Sequence, residues 1–420
     1  MCKFVHKCLD MYTIKQVAEN LNLSQKTIRR YLHSGMLECF KVGGTYRISK
    51  EQLDNFLNKK LDDLPTFSKG IGKSKSNDEV NWIDISEDWE QQLSHNLTSV
   101  DLFCGAGGMT KGFELAGFNP LAGLDWFKQA GDTYSKNFSH PFFLGDITQQ
   151  SVKNDFISLV KSRLGGKELT VLSGGFPCQG FSLSGNRIVE DPRNSLYKDM
   201  LDIIEALNPQ YIVAENVKGL RSMHNGKIEQ KIIEDINKLG YDVNVTVLTA
   251  ADYYVPQKRE RVIFIGNRIG APNLHPAPMI EPASYVTTKE AIEDLLNVPD
   301  SKSFNHVRTK HSDEMKSRLR NVDEGKSLYD NYSDSWKKCP WNDASCTIKE
   351  NHGGVNIHPR DSRVITVREM ARLQSFPDDF IFEGSKGKQM VQIGNAVPPF
   401  LAKAIGLAIR KSVSSIIQKD

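Results

Sequence analysis

Two hydrophobic periods divide the chain into a short helical segment and a long segment of alternating strands and helices. Within the first 60 residues, apolar side chains recur every three or four positions, which predicts short helices. Beyond them, apolar and β-branched runs predict buried strands at 97–103, 121–124, 142–147, 169–172, 211–214, 243–248 and 262–265. Helical patterns cover 109–115, 197–207 and 399–417. A strand followed by a glycine-rich loop and a helix is typical of the entry of a nucleotide-type α/β fold.

Residues 11–60 have the pattern of a small DNA-binding module. Thr13 and Ser49 are each followed three positions later by glutamine, which is the capping-box spacing at the start of a helix. A further helix and a hairpin around Gly43-Gly44 lie between them, so the segment is predicted to be a winged helix-turn-helix. It resembles excisionase-type and MerR-type modules. The middle helix would present Lys26, Arg29 and Arg30 to a DNA major groove. The alternative is a helical docking module with a solvated basic face.

Charge is distributed unevenly along the 420 residues. The net charge is only +3, but the first 60 residues hold eleven basic against five acidic side chains, so a polyanionic partner is plausible there. Residues 61–80 are rich in Lys, Asp, Ser and Gly, and they are predicted to be a flexible linker.

Seven scattered cysteines form no disulfide framework, and neither a bilayer-spanning run nor a signal-peptide core is present. We expect a cytoplasmic protein without a membrane partner.

The run Ser173–Ser182 places a cysteine at the carboxyl end of a predicted strand. Cys178 follows a proline and has glycines on both sides, which would let another molecule approach its thiol closely. Ligands bind at this edge in open α/β folds. A free cysteine is more often a small buried filler, so the rest of the chain has to decide between the two interpretations.

Other strand ends supply candidate groups for a nucleoside pocket. The loop containing Gly105 and Gly107 follows the first long strand, and it has no Gly-Lys-Ser/Thr ending, which excludes a Walker-type phosphate loop. Asp125 ends the second strand about 20 residues later, at the offset that suits ribose hydroxyls. Trp126 offers a flat face for adenine, and Asp146 follows the third strand as an acceptor for the adenine amine.

A second carboxylate and two arginines complete the candidates. Glu215 follows the strand 211–214, so it is predicted at the same sheet edge as Cys178. Arg259 and Arg261 alternate beside Gln257 at the start of the strand 262–265, which puts both arginines on one face. The simpler interpretation of this run is a solvated charged segment.

Six motifs in order identify a resemblance. They are Asp101–Gly108, Gly175–Gln179, Glu215–Val217, Gln257–Arg261, Arg372–Pro377 and Gln392–Pro399. The chain resembles the DNA (cytosine-5)-methyltransferases of bacterial restriction–modification systems from about residue 97 to its end. The resemblance implies a Rossmann-like α/β methyltransferase domain over 97–266 and 347–420, with a small target-recognition region at 267–346. The N-terminal module is an addition to the family pattern, and Asp125 stands where the family more often has Glu.

The resemblance also implies a mechanism. The Cys178 thiolate would add to cytosine C6, Glu215 would hold a proton at N3, and Arg261 would bond O2, while Arg259 would support the pocket and favour the thiolate. The cofactor would be S-adenosylmethionine, with S-adenosylhomocysteine as product and no metal. The implied cofactor residues are Phe103, Gly105, Gly107, Asp125, Trp126, Asp146, Ile147 and Asn395, the last following a turn at 392–394. The base would be flipped out of duplex DNA, with Gln179 or Ser182 filling the space that it leaves.

Two alternative functions are compatible with the sequence. An RNA cytosine methyltransferase of the same family would carry a Cys-Phe-Thr tripeptide, and the chain has Cys346-Thr347 without the phenylalanine. A transcription regulator could act through the N-terminal module, for example on its own operon. Cys339, Cys346, His352 and His358 match no standard zinc spacing. We expect a monomer whose partners are double-stranded DNA and a separately acting cognate restriction endonuclease.

Overall fold

The computed structural model describes residues 11–20, 28, 32, 37–42, 45–50, 52–53, 80–94, 96–177, 196–329, 336–349 and 356–417. The chain divides into two compact units, 1–75 and 76–420. Among the described residues, no helix is both long and apolar enough to cross a membrane. The predicted linker 61–80 lies outside the described residues, apart from residue 80.

The first unit contains a three-stranded antiparallel sheet in the order β1-β3-β2, with β1 at Met11–Tyr12, β2 at Phe40–Val42 and β3 at Thr45–Ser49. The predicted hairpin is therefore confirmed, and β1 adds a strand that the sequence pattern did not indicate. Both capping boxes form. Thr13 Oγ1 accepts from Gln16 N over 3.2 Å at the start of α1 (Ile14–Asn20), and Ser49 Oγ accepts from Gln52 N over 3.2 Å. Val17, Ile28 and Ile48 form the centre of its small core.

The second unit is built on a seven-stranded sheet in the order β10-β11-β9-β8-β5-β6-β7. Its strands are β5 (Leu97–Leu102), β6 (Phe118–Asp125), β7 (Phe142–Leu144), β8 (Val171–Gly174), β9 (Tyr211–Val217), β10 (Asp242–Thr249) and β11 (Glu260–Asn267). The strands from β7 to β9 pair in parallel, and β11 is antiparallel to both of its neighbours. The chain winds outward in both directions from β5 and β8. A ligand-binding crevice is therefore expected where these two strands end.

Helices cover both faces of the sheet. They are α2 (Gly108–Leu115), α3 (Lys128–Asn137), α4 (Gln150–Leu164), α5 (Leu196–Leu207), α6 (Lys227–Lys238), α7 (Thr288–Ile292), α8 (Asp313–Arg320), α9 (Val367–Leu373), α10 (Lys386–Asn395) and α11 (Pro399–Ile417). One core contains apolar residues of α4, α5 and α6, and a second contains those of α2 and α11. Burying both sheet faces explains why the central strands are continuous apolar runs.

The region 267–346 does not form a hydrophobic core of its own among its described residues. β12 (Leu274–Pro276) pairs in parallel with β4 (Asn81–Ile83) beside the second core. Ile292, Leu295 and Trp341 pack in a third core together with residues of α9 and α10. The boundaries proposed for a target-recognition region therefore stay a prediction.

Candidate active site

Four neighbouring strands are in register at the carboxyl edge of the sheet. Leu124 of β6 is in register with Leu102 of β5, Leu102 with Gly174 of β8, and Gly174 with Ala214 of β9. The residues that follow, Asp125, Phe103, Gly175 and Glu215, therefore lie along one sheet edge. Strands are spaced by about 4.8 Å, so the backbones of Asp125 and Glu215 are separated by about 14 Å. Two of the predicted cofactor residues, Phe103 and Asp125, therefore lie along the same sheet edge as the predicted catalytic carboxylate.

The segment after β8 is held against β9 at Phe176, two residues before Cys178. Asn216 Nδ2 donates to the carbonyl of Phe176 over 2.9 Å, and Phe176 is buried. A Cβ on Gly175 would lie 3.1 Å from Glu215 Oε2, so the carboxylate stands directly over this glycine. Cys178, Gln179 and Ser182 lie outside the described residues. The glycine that lies against the Glu215 carboxylate is three positions before Cys178.

Glu215 and Arg261 form an ion pair. Arg261 Nε lies 2.8 Å from Glu215 Oε1, and the two side chains are 13% and 11% exposed. The pairing follows from the antiparallel register, in which Ile263 faces Glu215 and Arg261 faces Val217. A partly desolvated carboxylate with one fixed cationic partner can present its other oxygen to a ligand.

Arg259 has a different environment from Arg261. Its guanidinium donates to the carbonyls of Ile348, Gly394 and Ala396 over 2.9–3.1 Å. Burial, followed by the proximity of Arg261, lowers the pKa of Arg259 well below its ordinary value. Gln257 joins the same network, since its side chain accepts from Ile348 N and donates to Gln374 Oε1. The arginine therefore ties three distant segments together behind the ion pair.

The glycine loop adopts backbone conformations that constrain its sequence. Phe103, Gly105 and Gly107 have φ values of 54°, 51° and 92°. A Cβ on Gly107 would overlap the ring of Phe138, while one on Gly105 would meet open space. Asp125 accepts from the backbone N–H groups of Gly105 and Phe127 over 2.8 Å each. Burial raises the pKa of Asp125, and these hydrogen bonds act in the opposite direction.

The remaining predicted cofactor residues differ in exposure. Trp126 is 74% exposed beside the buried Asp125, so it is not a core residue. Asp146 lies two residues beyond β7 and is exposed, and its Oδ1 accepts from Thr148 N and Oγ1. Ile147 is buried. The loop after β7 therefore offers one exposed acidic group, and Ile147 beside it belongs to the core.

The predicted turn at 392–394 is wrong, because these residues lie inside helix α10, which ends at Asn395. Helix is favoured there because Gln392 is buried, accepting from Thr133 Oγ1 over 2.6 Å and donating to Glu383 O. Asn395 is exposed at the carboxyl end of α10. It follows Gly394, whose carbonyl Arg259 binds.

A buried polar cluster beneath the glycine loop was missed by sequence reasoning. Asp101 of β5 accepts from Thr110 Oγ1 over 2.8 Å and from Ser173 Oγ over 2.9 Å. Burial raises the pKa of Asp101 to about 7. The hydroxyl of Tyr134 lies 3.3 Å from Thr110 Oγ1 and 2.8 Å from His140 Nε2. Asp101 begins the first motif of the resemblance, which was the available signal for its importance.

The predicted DNA-contacting residues Lys26, Arg29 and Arg30 lie outside the described residues. The same is true of His352 from the candidate metal ligands. Within the parts of the chain that the structure describes, no group of three or more His, Cys, Asp or Glu side chains is arranged to hold a metal ion.

Comparisons with known proteins agree in both units. A family model described as C-5 cytosine-specific DNA methylase matches residues 97–411, and a helix-turn-helix domain model matches 11–61. The type II methyltransferase M1.HphI of Haemophilus parahaemolyticus is 37% identical over 75% of this chain and 87% of its own length. M.Eco47II of Escherichia coli is 32% identical over 97% of this chain and 96% of its own length. A solved Escherichia coli prophage protein described as a DNA modification methyltransferase aligns with a TM-score of 0.62 and 26% identity, covering 76% of this chain and all of its own.

Proposed function

The chain belongs to the C-5 cytosine-specific DNA methylase family and is a DNA (cytosine-5)-methyltransferase, and we propose that it acts on a specific duplex sequence through a covalent bond from Cys178 to C6 of a flipped-out cytosine. The alignment of Asp125, Phe103, Gly175 and Glu215 along one sheet edge is the observation that supports this mechanism. The residues proposed to bind the nucleoside would then lie on the same sheet edge as the start of the Cys178 loop.

The residues at this edge fit S-adenosylmethionine. A buried carboxylate at Asp125, an exposed indole at Trp126 and an open space above Gly105 suit a ribose, an adenine and a closely approaching backbone. Phe103, Gly107, Asp146, Ile147 and Asn395 would complete its contacts. When bound, this cofactor supplies an electrophilic methyl group.

The chain's own residues would activate the cytosine in two coupled ways. Addition of the Cys178 thiolate to C6 places charge on the ring, and a proton at Glu215 would meet that charge at N3. Arg261 would bond O2 while it orients Glu215 through their ion pair. After C5 is methylated, loss of the C5 proton would expel the thiolate. Arg259 would act from behind, by holding the segments that contain Ile348 and Gly394.

Bisulfite sequencing of DNA from an expressing host tests this proposal, since it reports both the modification and its sequence context. Wild type should protect one recurrent cytosine context, and Cys178→Ser should protect none. Radiolabelled methyl transfer to duplex DNA and to total RNA should show label only in DNA. Label in RNA alone, or full turnover by Cys178→Ser, would contradict the proposal.

The N-terminal unit supports a second role, because a helix-turn-helix model matches it and both predicted capping boxes form. We propose that it binds DNA through Lys26, Arg29 and Arg30 and represses the protein's own operon. The triple alanine variant of these residues should relieve repression while methylation persists. Loss of methylation instead would make the unit part of target engagement. The enzyme is proposed to be a cytoplasmic monomer, with a cognate endonuclease acting separately.

A further inference from the structure

Two cysteines outside the proposed catalytic set face each other across a short loop. The Sγ atoms of Cys339 and Cys346 are 3.8 Å apart. Cys339 is buried, whereas Cys346 is partly exposed to solvent. Both backbones are held in place, since Cys339 N donates to Ile357 O and Ser345 N donates to Pro256 O. The two thiols are therefore neighbours because of the fold around them.

Their surroundings give the two sulfurs different roles. Asn356 Nδ2 donates to Cys346 Sγ over 3.1 Å. The hydrogen bond from Cys339 and the charge of Lys337 help to lower the pKa of Cys346, and the same contact with Cys346, together with burial, raises that of Cys339. Cys346 is thus the accessible sulfur that favours the thiolate, which is the nucleophilic form, and Cys339 is the protonated neighbour.

The Cys346 segment is joined directly to the residues behind the active site. Lys258 N donates to Ser345 O, and Thr347 Oγ1 donates to Lys258 O. One residue further on, Ile348 accepts from Arg259 through its carbonyl and donates to Gln257 through its amide. A displacement at Cys346 would therefore reach the arginine that also holds Gly394 and Ala396.

We propose that Cys339 and Cys346 form an oxidisable dithiol that responds to hydroperoxides and lowers methyl transfer when it closes. The Cys346 thiolate attacks the peroxide oxygen, breaking the O–O bond and releasing hydroxide or alkoxide, which takes up a proton. The sulfenic acid so formed is attacked by the Cys339 sulfur, which loses its proton as the disulfide forms and water leaves. Two thiol groups are oxidised while one peroxide is reduced to water, or to an alcohol and water.

Closure requires movement that the site would sense. The sulfurs must approach from 3.8 Å to about 2.05 Å. Cys339 is anchored in the interior, so the partly exposed Cys346 segment would move further, and the carbonyl of Ile348 would shift from Arg259. Misplacements of about 1 Å reduce rates by up to about 100-fold, and we expect roughly a tenfold loss here.

Trypsin provides a direct chemical test, because Lys338 and Lys349 bound a peptide that contains these two cysteines and no other. The full-length Cys178→Ser protein is treated with hydrogen peroxide, and its remaining thiols are blocked with N-ethylmaleimide. The protein is then digested with trypsin, and the mass of the 339–349 peptide is measured by mass spectrometry. We expect an unlabelled peptide lighter by two hydrogens, restored by dithiothreitol. The peptide containing Cys39, a partly exposed cysteine of the other unit, is the internal reference. The proposal is wrong if peroxide reduces the labelling of Cys39 at lower concentrations than it reduces that of the 339–349 peptide, and no disulfide forms in that peptide.

The effect on activity is measured on the enzyme with its Cys178 intact. Mild peroxide should lower the methylation rate, dithiothreitol should restore it, and Cys346→Ser should lack this reversible component. Cys339→Ala serves as a second variant in case the first folds poorly. Direct oxidation of Cys178 would persist in both variants, which separates it from the dithiol. A disulfide-bonded enzyme that retains the full rate would overturn the proposed link to activity.

Discussion

The Glu215→Gln substitution removes one charge from the site while it keeps the shape of the side chain. In the wild-type protein, Glu215 accepts from Arg261 over 2.8 Å, and both side chains are nearly buried. An amide cannot hold and release the proton that the proposed chemistry requires at N3 of cytosine. The variant should therefore bind its substrates and fail at the activation step.

The substitution should affect the methylation rate and the stability of the protein by different amounts. General acid–base catalysis contributes about 10²–10⁴-fold, so the single-turnover rate should fall by a similar factor. Arg261 also loses its counterion at a site where each partner is less than one-seventh exposed. A hydrogen bond to a charged group is worth about 1.5–3 kcal/mol, so the free energy of unfolding should fall by about that amount.

Glu260, the residue before Arg261, provides a matched control. Glu260 pairs with Lys218 over 2.7 Å, but these side chains are 46% and 55% exposed. Exposed pairs contribute about 0.2–1 kcal/mol, so Glu260→Gln should change both measurements little. Single-turnover transfer of a radiolabelled methyl group, with denaturant unfolding in parallel, compares the two variants. A Glu215→Gln rate equal to that of Glu260→Gln would refute the assigned role.

Three further predictions concern Cys178, Asp101 and the packing of α2 on α11. Cys178→Ser should abolish methyl transfer and leave the affinity for the cofactor, measured by calorimetry, largely unchanged. A large loss of affinity would contradict the proposal that Cys178 acts only on the cytosine base. Because burial raises the pKa of Asp101 to about 7 from 3.8, its contribution to stability is present below about pH 4 and is lost as the pH rises towards 7. Melting temperatures measured across this range should fall more steeply for wild type than for Asp101→Asn, and parallel curves would contradict the assignment. A Cβ on Gly112 would overlap Ala402 and the Pro399 carbonyl of α11, so Gly112→Ala should lower the free energy of unfolding by about 1–3 kcal/mol or more. A Cβ on Gly387 in α10 would meet no atom within 4 Å, so Gly387→Ala should raise it by up to about 1 kcal/mol. Chemical denaturation of both variants would decide, and equal shifts would show that α2 and α11 can separate freely.

Local pattern sufficed where a segment's structure depends on its own residues. The strand ending at Asp125 and the helix 399–417 were predictable because apolar periodicity and terminating residues act within a few positions. Both capping boxes of the first unit form for the same reason. The motifs then gave the family, because six of them occur in order.

Contacts between distant segments could not be predicted in this way. Nothing near Arg259 in the sequence indicates that its guanidinium binds the carbonyls of Ile348, Gly394 and Ala396. The 392–394 segment is predicted to be a turn from its sequence, but it lies inside a helix whose Gln392 contacts Thr133, 259 positions away. The parallel pair of β4 and β12 likewise depends on residues that only the fold brings together.

The packing of α11 on α2 has a consequence for synthesis. Arg410 of α11 binds the carbonyl of Gly117, 293 positions earlier, and Gly406 lies against Ala116 and Phe113. Ribosomes add about 5–20 residues per second, so about 15–60 s pass between the synthesis of α2 and that of α11, and the apolar side of α2 has no partner helix during this time. The nascent protein must therefore be shielded from aggregation throughout that interval. A product of translation interrupted before α11 would lack the part of the second core that this helix supplies.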